Sequence, residues 1–341
     1  YLGVDIFFVI CGYVITLSLH KEFIKKNKIK IINFYYRRIK RLLPSLIVCV
    51  FFTFFIYIII ADLIYFKEIT KSAITSIFGF SNIYYILSNQ DYFINNLENP
   101  FIHTWSLGIE EQYYLIYPFL LLAIYSVSKF FKINLFTLIF ILTSLSFFVT
   151  FIQYPLFDNF YFPFSRFWEI SLGCLLFFFQ RNKIKTHLQN ILLIFQIIIS
   201  FIILYFINYD VYKTILIINL LIFSIIYFDK NFLNIFLNNF YISYIGRISY
   251  SIYLFHFPII VFCLYFFDGY LYYFIALILI FSISFLNYHL VEKTFINLKV
   301  NFSLNNYLNF IFIIISIFFL YSYYDDNKKF KSSINRFLYN F

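Results

Sequence analysis

Apolar runs about as long as a lipid bilayer is thick recur from one end of this chain to the other. A helix needs roughly 20 apolar residues to cross the hydrocarbon core. Only helices and closed barrels satisfy every backbone group in lipid, and the alternating pattern of barrel strands is absent here. The runs therefore predict an all-α, polytopic integral membrane protein with about 10–11 transmembrane helices. The candidate spans are residues 3–19, 42–61, 69–88, 112–128, 133–152, 164–180, 188–207, 211–228, 248–267, 270–290 and 304–323.

Charged residues are too few for a soluble core, and they are unevenly placed. They make up 12% of the chain, against about 25% in soluble proteins. Residues 21–41 carry nine basic residues and a single acid, Glu22, so the positive-inside rule places this loop in the cytoplasm. Membrane topology thus explains much of the net charge of +10, and we expect no nucleic-acid partner. The nine basic residues are Lys21, Lys25, Lys26, Lys28, Lys30, Arg37, Arg38, Lys40 and Arg41.

The charge of the next loop limits how many times the chain between residues 41 and 90 can cross the membrane. Residues 90–100 contain two acids and no Lys or Arg, which indicates an external loop. A chain that passes from inside to outside needs an odd number of crossings, yet two apolar segments, 42–61 and 69–88, lie between the two loops. We therefore expect one of them, with 69–88 favoured, to be re-entrant or broken.

The densest run of chemically capable side chains lies at residues 103–114, immediately before a long apolar run. If this segment is helical throughout, His103 and Glu110 lie seven residues apart and share one face, two turns from each other. Charged groups at the mouth of a membrane helix are costly and usually functional. The alternative is a helix start whose acids, Glu110 and Glu111, meet the helix dipole.

Two acid-bearing segments also allow a structural reading. Asp5 heads an apolar span with Gly12 in its middle, which fits a helix cap and a close packing point. Arg166 and Glu169, at i and i+3 just inside another span, fit an ion pair.

Two further segments, one basic and one that contains a histidine, also allow a structural interpretation. Arg37, Arg38 and Arg41 precede a proline at a helix start, and fit either a topology signal on anionic lipid or a docking site for a polyphosphate-bearing cofactor. His256 lies beside a proline kink and fits a satisfied core histidine. The four cysteines stand singly in apolar runs, which favours small packing residues and no metal site.

The motifs taken together, in this order, resemble the acyltransferase family 3 membrane proteins. They read GVDIFFVxxGYxIT, FYxRRxxRLxP, HTWSLxxEEQYYLxYP, a P-x-x-R-x-W-E segment, GRISYSIYLFHFP and a VEKTF segment. The resemblance covers about 300 residues, from Gly3 to roughly Asn297, and the HTWSLxxEEQYY and GRISYSIYLxHxP blocks are its most specific parts. It departs from the usual pattern at Cys11, where Ser is usual.

The resemblance implies an enzyme of the bacterial inner membrane. Such proteins transfer an acyl group, most often acetyl, from cytoplasmic acetyl-CoA to hydroxyls of extracytoplasmic glycans such as lipopolysaccharide O-antigen, capsule or peptidoglycan. No permanently bound cofactor is expected, and acyl-CoA, the glycan acceptor and membrane lipid are the expected partners. The implied catalytic residues are His103, Glu110 and Glu111. The implied donor-binding residues are Arg37, Arg38 and Arg41, and the implied supporting buried polar residues are Asp5, Trp105, Ser106, Arg166, Glu169, Arg247 and His256.

The same resemblance predicts the domain organisation. Residues 1–299 form the acyltransferase domain, 300–324 an added transmembrane helix, and 325–341 a polar extracytoplasmic tail or linker. The chain has no methionine and opens directly in an apolar segment, so we expect a further span, which carries the family's catalytic base, to precede residue 1. Two alternatives stand beside the enzyme. One is a non-enzymatic transporter or flippase of lipid-linked glycans, although no internal repeat is evident. The other is an inactive truncated relic.

Overall fold

The computed structural model describes residues 2–60, 66–88, 99–150, 160–179, 194, 198, 237–267 and 269–297. Within these ranges the elements are helical and no strand occurs. A 3₁₀ turn, Ile102–Thr104, precedes the fifth helix, and a π-helical turn, Tyr288–Glu292, follows the ninth. The helices are α1 (Leu2–Lys26), α2 (Ile31–Ile60), α3 (Phe66–Ile77), α4 (Ser81–Leu87), α5 (Trp105–Phe131), α6 (Leu135–Val149), α7 (Pro163–Phe178), α8 (Phe240–Phe266), α9 (Leu271–Asn287) and α10 (Lys293–Asn297).

The all-α, polytopic prediction is confirmed. Five helical stretches in the described part are long and apolar enough to cross a membrane: Gly3–Lys26, Ile31–Tyr57, Ile102–Phe131, Phe240–Phe266 and Leu271–Asn297. Shorter helices, α6 and α7, occupy the predicted spans 133–152 and 164–180. The predicted spans 188–207, 211–228 and 304–323, most of the loop 90–100 and the tail 325–341 lie outside the described residues.

The basic segment 21–41 is mostly helix, which corrects its interpretation as a loop. Helix α1 continues through Lys26, and α2 begins at Ile31. Lys and Arg are good helix formers, and their long side chains carry the charge away from the apolar surface, so the helices extend past the apolar runs. Pro44 consequently lies inside α2 and not at a helix start.

Segment 69–88 is broken, as the crossing argument predicted. Helix α3 ends at Ile77 and α4 begins at Ser81. Between them Gly79 has φ +70°, a left-handed conformation that glycine adopts without strain. Neither helix, with 12 and 7 residues, has the roughly 20 residues needed to span a bilayer alone.

The chain divides into two compact units. In the first unit, which comprises residues 1–31, 85–89 and 105–249, α7 packs against both α1 and α6. The backbones of α1 and α7 approach closely because a glycine on each faces the other helix. A Cβ at Gly12 would collide with the Ile170 carbonyl, and a Cβ at Gly173 would collide with the Val9 carbonyl. Small residues allow this approach in membrane bundles, so the predicted packing role of Gly12 is confirmed.

The second unit comprises residues 32–84, 90–104 and 250–341. It contains α2, α3 and the 3₁₀ turn, with the larger part of α8 and the whole of α9. Its core is apolar, and it also buries several small polar side chains. The polar members include Ser45, Thr53, Ser72, Ser76, Ser81, Asn82 and Ser251.

Candidate functional site

The segment that carries His103 is held in place by hydroxyl and amide groups of the broken helix pair. Asn99 donates from Nδ2 to Ser72 Oγ at 2.6 Å. Ser81 Oγ donates to the Thr104 carbonyl at 2.8 Å, and the hydroxyls of Ser76 and Thr104 lie 2.6 Å apart. These side chains are all buried, so each polar group needs such a partner. The contacts fix the 3₁₀ turn, and with it His103, on the helices α3 and α4.

The His103 ring itself is anchored on a carbonyl that a proline sets free. Pro258 has no N–H, so the carbonyl four residues earlier, that of Leu254, lacks its helical partner. His103 Nε2 lies 3.1 Å from this oxygen, and the Cys49 thiol donates to it at 3.2 Å. In lipid an unpaired carbonyl is expensive, and donors from neighbouring elements satisfy it. Pro258 thus leaves free the carbonyl oxygen to which the His103 ring binds.

The anchoring contact also determines the tautomer of His103. A carbonyl oxygen only accepts, so the Nε2 atom that contacts it carries the hydrogen. In the neutral ring Nδ1 then holds the lone pair and is the atom able to accept a proton. His103 is 3% exposed, which keeps bulk water from this pair of atoms.

His256 forms a second imidazole of the same kind. Its ring centroid lies 5.4 Å from that of His103. His256 Nδ1 donates to the Tyr253 carbonyl at 2.6 Å, which leaves the lone pair on Nε2. The Tyr253 hydroxyl donates in turn to the backbone carbonyl of His103. His256 is half-buried, so its ring is more accessible than that of His103.

Glu110 and Glu111 lie in α5, beyond the 3₁₀ turn. Gly108 does not interrupt this helix, which runs unbroken from Trp105 to Phe131. Glu110 is 1% exposed, whereas Glu111 is half-buried, because adjacent residues point about 100° apart on a helix. The two carboxylates therefore have different surroundings, and their catalytic roles stay predictions.

The first unit contains a buried ion cluster. Arg166 Nη2 lies 2.9 Å from Asp5 Oδ1, and Arg166 Nη1 lies 2.7 Å from Glu169 Oε1. The three side chains are at most 1% exposed. The predicted Arg166–Glu169 pair is present, and the buried Asp5 joins it from the first turn of α1. A guanidinium between two carboxylates compensates charge that lipid would otherwise exclude.

Aromatic rings enclose this ion cluster. The Arg166 guanidinium carbon lies 5.4 Å from the ring centroid of Trp105 and 5.2 Å from that of Phe160. Phe8 meets the Trp105 ring edge-on at 6.3 Å between centroids. Cation–π contact of this kind is strongest when the groups are desolvated, as they are here. Trp105 and the neighbouring Ser106 are buried, as the family resemblance implied.

The three arginines proposed for donor binding lie on the first turns of α2. Arg37 and Arg41 are four residues apart and Arg38 and Arg41 three apart, so their side chains project from one side of the helix. Arg37 and Arg41 are exposed and Arg38 is half-buried, with its guanidinium 5.6 Å from the buried Phe34 ring. The arrangement is a row of planar donors able to bind phosphate oxygens.

Arg247 departs from the sequence prediction. It was expected among the buried polar residues, yet it is exposed. It lies near the start of α8, where its guanidinium covers the rings of Phe240 and Tyr244 at 5.9 and 5.5 Å. A long basic side chain near a helix end keeps its charge outside the apolar interior, which explains the exposure.

Sequence reasoning missed several residues of the second unit. Leu254 and Tyr253 contact the histidine pair and Cys49 binds the Leu254 carbonyl, but an apolar residue, a lone cysteine and one tyrosine among 33 carry no signal of their own. One rule was available, since a proline inside a helix frees the carbonyl four residues before it. Applied to Pro258, that rule singles out Leu254.

These features define a polytopic helical membrane protein with two buried polar centres and a row of arginines on one helix. The family model for the acyltransferase domain matches residues 1–289, so the chain belongs to acyltransferase family 3. No solved structure matches the chain significantly.

Curated relatives agree with the family. The O-acetyltransferase OatA of Staphylococcus aureus is 33% identical over 77% of this chain and 46% of its own length. The peptidoglycan O-acetyltransferase OatA of Listeria monocytogenes is 38% identical over 36% of this chain and 20% of its own length. An uncharacterised protein of Haemophilus influenzae is 33% identical over 61% of this chain and 88% of its own length. The chain thus spans about half the length of the Staphylococcus relative.

Proposed function

We propose that this protein is a membrane O-acyltransferase that transfers an acetyl group from acetyl-CoA to a hydroxyl of a cell-surface glycan. The observation that carries the proposal is the match to O-acetyltransferases along most of the chain. Because one relative is named for peptidoglycan, peptidoglycan is the first acceptor to test, with O-antigen and capsule as further candidates. The place of action is the inner membrane of a bacterium.

The reaction requires few groups. The acceptor oxygen attacks the thioester carbonyl, an ester C–O bond forms, the C–S bond breaks, and the hydroxyl proton ends on the CoA thiol. A proton acceptor near the hydroxyl and donors near the developing oxyanion lower the barrier. His103 suits the acceptor path, because its neutral ring presents a lone pair on Nδ1 while Nε2 is fixed on Leu254. We assign it to the acceptor hydroxyl, with His256 beside it.

The donor side is assigned to the arginine row. Acyl-CoA carries phosphate groups, and guanidinium forks bind phosphate oxygens through paired hydrogen bonds. Arg37, Arg38 and Arg41 lie in the most basic segment of the chain, which the positive-inside rule assigns to the cytoplasm, where CoA is found. Membrane lipid and the glycan acceptor are the other proposed partners, and no tightly bound cofactor is part of the proposal.

The test of the function is acetyl transfer by the purified protein. The full-length protein in detergent micelles is incubated with acetyl-CoA and, in separate reactions, peptidoglycan, O-antigen or capsule, and base-labile, ester-linked acetate on the glycan is measured. We expect transfer by the unchanged protein and its loss in His103→Ala. A matched control, His20→Ala, changes a histidine whose Nδ1 contacts the Tyr125 hydroxyl in the first unit. No ester above a protein-free control, with any of the three glycans, would contradict the proposal.

Donor binding is tested separately. Arg38→Ala and Arg41→Ala are each expected to weaken acetyl-CoA binding without unfolding the protein. Their combination should weaken it more than the combination of Lys28→Ala and Lys30→Ala, which lowers the charge of the same segment by the same amount. If both pairs of substitutions weakened acetyl-CoA binding equally, the three arginines would contribute only general positive charge and not a specific binding site.

A further inference from the structure

Three elements of the second unit meet beside Arg41. The Tyr250 hydroxyl, on α8, donates to the carbonyl of Leu42 on α2 at 2.9 Å. The next residue, Ser251, donates from Oγ to Glu292 Oε2 at 3.0 Å. Two successive residues of one helix thus hold the backbone that follows Arg41 and the carboxylate of Glu292. Tyr250, Ser251 and Glu292 are all buried.

The π-helical turn is what brings Glu292 to this junction. Asn287 donates from Nδ2 to Ser251 Oγ at 2.9 Å, so Asn287 and Glu292 reach the same hydroxyl. In an α-helix two residues five positions apart point about 140° away from each other. The i to i+5 bonding of a π turn returns the second residue to the same side, and such turns are frequent at functional sites.

The Glu292 carboxylate is buried, and it needs compensation. It is 2% exposed, and a buried charge is stable only when it is hydrogen-bonded and electrostatically paired. Ser251 supplies the hydrogen bond, and the guanidinium of Arg41 interacts with the carboxylate electrostatically. The Arg41 side chain is exposed, and among the described residues no hydrogen bond or ion pair occupies its five N–H donors.

We propose that Glu292 is a positioning residue that orients the Arg41 guanidinium for the phosphate groups of acyl-CoA. The inference rests on the donor site proposed above. The carboxylate attracts Arg41 from the protein side and restricts its many rotamers, while the hydrogen-bond donors remain open to an anion. Ser251 and Asn287 keep the carboxylate in place. Glu292 therefore holds the Arg41 guanidinium in place without a direct bidentate ion pair that would occupy its N–H donors.

Equilibrium binding of acetyl-CoA to the purified full chain tests this inference. Glu292→Gln keeps the shape of the side chain but removes its charge, and should weaken binding on the order of tenfold, the factor for one charged hydrogen bond. Ser251→Ala leaves the charge and should give a smaller loss. Lys293→Gln, on the adjacent exposed position, removes a positive charge near the same turn and should change binding less than Glu292→Gln.

Combining substitutions at the two positions shows whether Glu292 acts through Arg41. In an Arg41→Ala background, Glu292→Gln should cause no further loss, because the group that it positions is gone. The same loss in both backgrounds overturns the inference, and so does wild-type binding by Glu292→Gln. If Arg41→Ala alone binds acetyl-CoA normally, the proposed donor site fails instead. In that case coupling of the two substitutions in the thermal unfolding midpoint still measures the electrostatic interaction of the two side chains, and additive shifts would overturn the inference.

Discussion

The Nε2 atom of His103 lies 3.1 Å from the carbonyl oxygen of Leu254, a residue 151 positions further along the chain. That oxygen accepts the hydrogen bond because Pro258 supplies no N–H to it. The Cys49 thiol donates to the same oxygen, so three parts of the second unit meet at one backbone atom. A helix defect in α8 thereby fixes both the place and the tautomer of the histidine proposed to act on the acceptor.

Pro258→Ala should release this histidine. The new N–H competes for the Leu254 carbonyl, and alanine is about 3 kcal/mol more favourable than proline inside a helix, so α8 should not lose stability. We expect ¹⁵N NMR of His103 to change from the single Nε2–H tautomer to a mixture, with a fall in acetyl transfer. Pro118→Ala, in α5 of the first unit, is the matched control and should leave the His103 signals unchanged. A P258A variant with the wild-type tautomer and rate would contradict the role assigned to the proline.

Removing Arg166 should be far more damaging than neutralising Asp5. Arg166→Ala leaves two buried carboxylates without their cation, which costs about 3 kcal/mol or more. Asp5→Asn keeps the Arg166–Glu169 pair and replaces one charge by an amide of the same shape, so the loss should be smaller. Thermal unfolding of the purified protein in detergent measures both. A milder effect of Arg166→Ala than of Asp5→Asn would show that the cluster is not held together by charge compensation.

Gly173→Ala should separate α1 from α7. Its Cβ would meet the backbone of Val9 and Tyr13, which cannot move without moving the helix. Forcing extra atoms into a packed contact costs about 1–3 kcal/mol. At Gly246, in α8, nothing lies within 4 Å of an added Cβ. Gly246→Ala should therefore stabilise its helix by up to about 1 kcal/mol. We therefore expect Gly173→Ala to lower the unfolding temperature and Gly246→Ala to raise it. A lower unfolding temperature for Gly246→Ala than for Gly173→Ala would contradict the close packing of α1 and α7.

Glu110→Gln should reduce glycan O-acetylation more than Glu111→Gln. Glu110 is buried, and the loss of charge there changes an environment that water does not reach, whereas Glu111 is half-buried. A change at a buried charged group costs about 1–3 kcal/mol or more. The measurement is ester-linked acetate on the glycan at equal protein level. Wild-type acetate in Glu110→Gln together with none in Glu111→Gln would make Glu111 the working carboxylate.

The sequence by itself determined the helical class, the approximate position of the membrane helices and the break in segment 69–88. These follow from local quantities, namely the length of an apolar run, the distribution of charge and the presence of a glycine. It also indicated the residues of the two polar centres through the family motifs. Helix ends were less well predicted, because lysine and arginine continue α1 and α2 beyond their apolar parts.

Tertiary structure alone decided the partners. Asp5 and Arg166 are 161 residues apart, and no pattern within α1 says that its acid meets a guanidinium of α7. The same holds for His103 on Leu254 and for Glu292 on Ser251. Each apolar helix can pack in many ways, and a buried polar group needs whichever partner the packing brings within about 3 Å. The identity of that partner depends on helix approach, here set by glycines, a proline-freed carbonyl and a π turn.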